Sequence, residues 1–142
     1  MSFTQPYMPK SKTDVHLTPP FIFEMIEKEW HLRKEDMFDP CPLFHKVDGL
    51  LIAWKKFNFV NPPYARVPGE KETMLHQFVF KAIREFLHHE NISVMLLPSK
   101  TDQPGFHELQ KHNFRIIWLK GRVKFLGNKF SATQPHFLVL IA

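Results

Sequence analysis

The segment "FNFVNPPYARV", residues 57–67, decides how the chain around it is to be interpreted. Its first four residues lack the alternation of a half-exposed strand and are typical of a strand buried on both faces. The apolar run then stops at Asn61, two prolines and Tyr64. Each proline fixes its own φ and restricts the residue before it, so the segment predicts a buried strand that ends in a rigid loop.

Helical and strand patterns alternate on either side of this strand. "LTPPFIFEMIEKEW" predicts a helix with Thr18 as its N-cap, and "MFDPCPLF" predicts the end of a strand followed by a loop. Further along, "TMLHQFVFKAIREFLHHE" and "GFHELQKH" predict helices, whereas "ISVMLLP", "FRIIWLKGRVKFLG" and "HFLVLIA" predict strands. This alternation predicts an α/β fold with a mostly parallel sheet covered on both faces. We expect Trp54 and Trp118 to pack in its core.

The composition is that of an ordinary globular protein. The 142 residues are 44% hydrophobic and 23% charged, which is enough for the core of one domain. No apolar stretch reaches the roughly 18–20 residues of a membrane span, and the first residues lack a signal-peptide pattern. Cys41 is the single cysteine, which favours a reducing compartment. We therefore expect a soluble intracellular protein, with residues 1–13 as a flexible arm and residues 14–142 as one domain.

Three polar loops follow predicted strands: "DPC" at residues 39–41, "NPPY" at 61–64 and "SKTD" at 99–102. In a parallel sheet the loops after the strands lie at one edge, which is where ligands bind. The sequence therefore predicts a single site that is built from these three loops.

The NPPY loop offers hydrogen-bond acceptors rather than donors. Proline carries no N–H, Asn61 adds a side-chain carbonyl, and Tyr64 adds a flat aromatic face. An exocyclic amino group on a planar ring, such as that of adenine, fits two acceptors beside a stacking surface. Acceptors that hold its hydrogens would favour a tetrahedral nitrogen and stabilise the positive charge that develops as it attacks. Because duplex bases are stacked, the base must be flipped out or unpaired.

"NPPY" resembles the catalytic tetrapeptide of the amino-methyltransferases, which methylate adenine N6 or cytosine N4 with S-adenosylmethionine. The wider pattern is more specific. "LTPPFIFEMI", "FDPCPL", "DGL…W", "FVNPPYAR", "LLPSKTDQPGFHEL" and "LKGRVKF" occur in the order seen in the phage-type DNA N6-adenine methyltransferase family. This resemblance covers about residues 14–142. It implies a compact, trimmed Rossmann-like class I methyltransferase fold, S-adenosylmethionine as the methyl donor and DNA as the substrate.

The resemblance also implies roles for individual residues. The catalytic residues would be those of the loop, Asn61, Pro62, Pro63 and Tyr64. The residues that bind the cofactor would be Thr18, Pro19, Asp39, Pro40, Cys41 and Asn61. The residues that bind the substrate would be Tyr64, Arg66, Lys100, Thr101, Asp102 and Arg122.

Two features depart from many other methyltransferases. "DPCPLF" has no glycine where those enzymes carry a glycine-rich loop, and only 21 residues separate Asp39 from Asn61. That is too few for the elements that normally hold the adenosine end of the cofactor, so a partner subunit or a second copy of the chain would complete the site. Two other functions stay open: cytosine N4 methylation, and a catalytically silent methyltransferase-like module that binds nucleic acid or a partner.

Nine histidines raise the question of a metal site. His107 and His112 are five residues apart, which is not the spacing of an HExxH motif, and one cysteine provides no ligand cluster. We therefore expect no metal. His107 and His136 are candidates to line the pocket, although a histidine satisfied within the fold is the commoner state.

The formal charge of +5 permits a polyanionic partner without requiring one. Candidates for contacts with DNA phosphates, several of them near the predicted site, are Lys55, Lys56, Arg66, Lys71, Lys120, Arg122, Lys124 and Lys129.

Overall fold

The computed structural model describes residues 17–42, 49–64, 69, 71, 73–128 and 130–142. The predicted arm at 1–13, Arg66 and Lys129 lie outside the described residues. The elements, in chain order, are α1 (Pro20–Trp30), a 3-10 helix (Lys34–Asp36), β1 (Phe57–Val60), α2 (Met74–His89), β2 (Ile92–Pro98), α3 (Pro104–Gln110), β3 (Arg115–Trp118) and β4 (His136–Ile141). No helix in these ranges is long and apolar enough to cross a membrane.

The four strands form one mixed sheet in the order β1-β2-β4-β3. β1 and β2 are parallel, whereas β4 runs antiparallel to both β2 and β3. The prediction of a mostly parallel sheet is therefore wrong. The backbone N–H of Leu119, just after β3, donates to the carbonyl of His136, the first residue of β4. The connection thus returns at the edge where β3 ends, and a strand that turns back there must run antiparallel.

The sheet is covered on both faces, as the sequence predicts. Successive strand residues point to opposite faces, so Val94 and Leu96 pack on the side of α1, whereas Met95 and Leu97 pack on the side of α2. The predicted stripe of α2 is buried, with its last member Phe86 only partly so. This stripe comprises Leu75, Phe78, Val79, Ala82, Ile83 and Phe86.

The start of α1 differs from the prediction. The N-cap is Pro19 and not Thr18, and Pro20 occupies the first helical position. Pro19 has φ −70° and ψ 151°, which is the extended backbone that an N-cap requires, and no side chain caps this helix. Thr18 therefore lies outside the helix.

Two predicted strands are shorter than expected. Among the described residues of "MFDPCPLF", 37–42, Phe38 alone pairs with β1, in parallel and opposite Asn58. "FRIIWLKGRVKFLG" pairs in the sheet only as far as Trp118. The chain then turns at Gly121, where φ is +76°, and packs Val123 and Phe125 against the α1 face.

The two tryptophans have different environments. Trp54 is 4% exposed, as predicted, and its indole N–H donates to the carbonyl of Gly49 over 2.8 Å. Trp118 is 59% exposed, so the prediction that it lies in the core is wrong. It is the last residue of β3, which is an edge strand of the sheet, and its ring packs against Phe137.

Candidate active site

The three predicted loops leave the sheet at the same edge. β1 and β2 are parallel, so Asn61 and Ser99 follow the carboxyl ends of neighbouring strands. Phe38 pairs in parallel beside β1, which brings Asp39 to that edge as well. The antiparallel β4 adds its first residue, His136, opposite Pro98. β4 therefore adds a residue to this edge beyond the three loops that the sequence predicts there.

Asn61 is joined to the segment before α1. Its amide nitrogen donates to the hydroxyl of Thr18 over 3.1 Å, and the side chain of Asn61 is half-buried. Pro62, which follows, is buried, and Pro63 is half-buried. Two fixed φ angles and one side-chain bond thus hold the loop against the body of the domain.

Tyr64 reaches across the end of β2 to β4. Its hydroxyl lies 2.6 Å from Nε2 of His136, and Nδ1 of His136 lies 3.1 Å from the carbonyl oxygen of Gln134. Burial raises the pKa of the Tyr64 hydroxyl well above its usual value of 10.0. The phenol is therefore neutral at any physiological pH, and it can serve as a hydrogen-bond donor.

The third loop contributes one side chain to this group. The ammonium of Lys100 lies over the ring of Tyr64, 5.6 Å from its centroid, in the arrangement of a cation–π contact. Thr101 and Asp102 are exposed in the turn that the Gln103 N–H closes on the Lys100 carbonyl over 3.1 Å. Of the three predicted substrate contacts in this loop, the structure brings Lys100 to Tyr64.

The DPC loop is held by its own aspartate and by a glycine turn. The carboxylate of Asp39 accepts the backbone N–H of Cys41 over 2.8 Å, while Asp39 itself stays exposed and Pro40 is buried. A Cβ added at Gly49 would lie 2.0 Å from the carbonyl oxygen of Pro40. The backbone of Gly49 therefore packs directly against the carbonyl of Pro40 in the DPC loop.

A family model described as Dam, DNA N-6-adenine-methyltransferase, matches residues 5–136. The chain belongs to the DNA N6-adenine methyltransferase family. No curated protein and no solved structure matches it. The resemblance to the phage-type adenine methyltransferases is thereby confirmed, and the reaction that the family carries out is the methylation of adenine N6 in DNA.

The cations of this methyltransferase are divided between two edges of the sheet. Lys55 and Lys56 precede β1 and so lie at the edge opposite Asn61. Lys120, Arg122 and Lys124 follow β3, which runs in the same direction as β2 and ends at the edge of the three loops. Arg122 donates to the carbonyl of Thr133, and a guanidinium retains further N–H donors for a phosphate.

Sequence reasoning named His136 as a candidate to line the pocket of the methyltransferase but predicted no contact for it. A parallel β4 would have carried its first residue to the opposite edge, so the error in strand direction concealed the contact between His136 and Tyr64. The signal that could have indicated it is a histidine directly before the wholly apolar run "FLVLI". His107, the other histidine considered, is exposed on α3. Within the described residues, no group of three or more His, Cys, Asp or Glu could hold a metal ion.

Proposed function

We propose that the chain uses S-adenosylmethionine to methylate N6 of an adenine that is flipped out of, or unpaired in, DNA. The family supplies the reaction. The proposed binding of S-adenosylmethionine and of the adenine is supported by one observation. The NPPY loop, Thr18 and the DPC loop lie at the same edge of the sheet. In α/β proteins this edge is where ligands bind.

On the base side, the acceptors are the side-chain carbonyl of Asn61 and the backbone carbonyl of Pro62. They would accept the two hydrogens of the adenine amino group and so direct its lone pair toward the methyl donor. Because the prolines and Thr18 fix the loop in advance, little reorganisation is needed as positive charge develops on the nitrogen. Pro63 contributes to the same rigidity.

Stacking on Tyr64 would hold the plane of the base. A base on an aromatic ring gains about 1–3 kcal/mol, and the neutral phenol repels no phosphate. The ammonium of Lys100, which lies 5.6 Å from the centroid of the Tyr64 ring, would contact a phosphate near the bound base. Further DNA contacts would come from Arg66, Thr101, Asp102 and Arg122, and a hydrogen bond to the carbonyl of Thr133 holds the side chain of Arg122.

The residues at the neighbouring loop suit the cofactor. S-adenosylmethionine would supply an electrophilic methyl group on a positively charged sulfur. The exposed carboxylate of Asp39 fits its ammonium group or ribose hydroxyls, and the buried Pro40 and Cys41 form an apolar floor beside it. Thr18 and Pro19 border the same edge at the start of α1, and Asn61 would contribute to both ligands.

We further propose a trimmed Rossmann-like class I methyltransferase core. A mixed four-stranded sheet with helices on both faces is compatible with that fold. Between Cys41 and β1, the described residues 42 and 49–56 form no helix and no strand. The adenosine end of the cofactor thus has few elements to hold it, which supports completion of the site by a partner subunit or a second copy of the chain.

Asn61→Ala is the central test. We expect methyl transfer to unmethylated plasmid DNA to fall by about 100-fold or more, because one of two preorganised acceptors is lost. Asn113→Ala is the matched control, since Asn113 is exposed before β3 and lies at the opposite edge of the sheet. Mass spectrometry of the nucleosides identifies the product. N4-methylcytosine in place of N6-methyladenine would overturn the assignment of the base.

Calorimetric titration with S-adenosylmethionine completes the test. The wild type and both variants should bind it, because Thr18 and the DPC loop remain in place. If the folded wild-type protein binds neither S-adenosylmethionine nor its demethylated product and transfers no methyl group, then either a partner completes the pocket or the chain is the catalytically silent module.

A further inference from the structure

The ring of His136 is fixed between two oxygen atoms. It is 2% exposed, with Nδ1 facing the carbonyl of Gln134 and Nε2 facing the hydroxyl of Tyr64. Phe125 packs edge-on against it, with ring centroids 5.4 Å apart and an angle of 72° between the planes. The ring therefore has one orientation available in the folded domain.

The direction of each hydrogen bond follows from these contacts. A backbone carbonyl can only accept, so Nδ1 of His136 must carry the hydrogen that is donated to Gln134. In the neutral ring, Nε2 is then an acceptor, and the hydroxyl of Tyr64 donates to it. The phenol hydrogen is thereby committed to His136 and is not available to a substrate.

We infer that His136 is a positioning residue for the base-stacking ring of Tyr64. This inference rests on the proposed function, in which Tyr64 stacks on the flipped adenine. The NPPY loop leaves the sheet after β1, yet the hydroxyl of Tyr64 is bonded to β4 on the far side of β2. The bond holds the ring across the end of β2, where Lys100 also contacts it.

Two substitutions of His136 separate its hydrogen bond to Tyr64 from its hydrogen bond to Gln134. An amide in His136→Gln can place its oxygen near the position of Nε2 and still accept from Tyr64. An amide in His136→Asn is shorter, so its nitrogen replaces Nδ1 and donates to Gln134, while the acceptor for Tyr64 is lost. Both variants bury one amide, so a difference between them isolates the hydrogen bond of Tyr64.

We expect His136→Asn to raise the KM for unmethylated plasmid DNA about fivefold to tenfold, the value of one hydrogen bond, with kcat changed less. His136→Gln should restore the wild-type KM. Affinity for S-adenosylmethionine should be the same in both variants. The chain has two tyrosines, Tyr7 and Tyr64, so 3-fluorotyrosine labelling gives two fluorine resonances that Tyr7→Phe assigns. The resonance of Tyr64 should move in His136→Asn and stay in His136→Gln.

The outcomes separate this inference from the proposed function. If Asn61→Ala abolishes transfer and Tyr64→Ala raises the KM for DNA, while His136→Asn matches the wild type, the inference is overturned and the function stands. Equal losses in His136→Asn and His136→Gln would also overturn it, because they would indicate a packing role alone. If Asn61→Ala or Tyr64→Ala leaves transfer unchanged, the proposed roles of the loop fail first.

Discussion

The amide of Asn61 and the hydroxyl of Thr18 are joined by a hydrogen bond of 3.1 Å across 43 positions of sequence. The bond connects the loop after β1 to the residue that precedes the N-cap of α1. Because the amide nitrogen of Asn61 faces Thr18, the side-chain carbonyl oxygen of the same amide points away from Thr18. In the proposed mechanism this carbonyl accepts a hydrogen bond from the adenine amino group. Thr18 would therefore set the orientation of the Asn61 side chain on which methyl transfer depends.

Thr18→Val should lower kcat by about tenfold, since it removes one hydrogen bond while keeping the shape of the side chain. Thr18→Ser keeps the hydroxyl and is the matched control. Because Thr18 does not cap α1, the free energy of unfolding should change by no more than about 1 kcal/mol. Initial-rate kinetics give kcat, and urea unfolding gives the free energy of unfolding. A large loss of stability in Thr18→Val with normal kcat would contradict this role.

Gly49→Ala should weaken the binding of S-adenosylmethionine, because the new methyl group would displace the carbonyl of Pro40 and so shift the DPC loop. Gly105→Ala provides a steric control. Its Cβ would meet the ring of His76 at 2.8 Å, on α3 and away from that loop. Both substitutions should cost about 1–3 kcal/mol of stability through overcrowding. Only Gly49→Ala should reduce cofactor affinity in calorimetry, and equal affinities would count against the proposed cofactor loop.

Glu85→Gln should destabilise the domain at neutral pH. Burial opposes ionisation of this carboxyl, but hydrogen bonds from Asn91 and Lys81 and the charge of Lys81 outweigh it and lower the pKa. Removing the charge of Glu85 leaves the ammonium of Lys81 without its buried counter-charge, and this typically lowers the free energy of unfolding by about 3 kcal/mol.

The same carboxyl makes stability depend on pH. A pKa lowered by folding contributes stability above the usual value of 4.5, and this contribution is lost as pH falls through the lower folded pKa. Urea unfolding between neutral and acid pH should therefore show a steeper decline in the wild type than in Glu85→Gln. Glu24→Gln, an exposed site on α1, is the control and should follow the wild type.

Tyr64→Phe should reduce the sensitivity of the domain to alkali. Burial raises the pKa of Tyr64, so its contribution to stability is complete below the usual value of 10.0 and is lost as pH rises through the folded pKa. The free energy of unfolding should fall with pH above that value in the wild type, and fall less in the variant. Identical slopes would show that Tyr64 ionises freely in the folded protein.

Local patterns in the sequence predict much of this fold. The buried stripe of α2 and the termination of β1 at Asn61 depend on nearby residues, and both occur as expected. The direction of β4 depends instead on where the chain turns after Trp118, which no local pattern records. That single error explains why the contact between His136 and Tyr64 was not predicted. The position of β4 between β2 and β3 leaves β3 as an edge strand, with Trp118 on the surface.

Thr18 shows a different limit of sequence reasoning. Threonine before a helix is a frequent N-cap, and local propensity favours that assignment. Pro19 can supply the cap geometry without a side-chain bond, so the hydroxyl is available for a partner elsewhere in the chain. The family pattern placed Thr18 near the methyl donor, but the contact with Asn61 is tertiary and requires the folded chain.

The position of β4 between β2 and β3 constrains the order in which the protein can be assembled. A ribosome makes β4 after the other three strands, yet β3 has no neighbour in the sheet until β4 is inserted beside it. Pairing of strands distant in sequence is slow because a long loop must close first. The nascent chain can therefore hold β1 and β2 together early, while Tyr64 meets His136 only at the last step. The side of the site that depends on Tyr64 and His136 would thus form only after β4 has been synthesised.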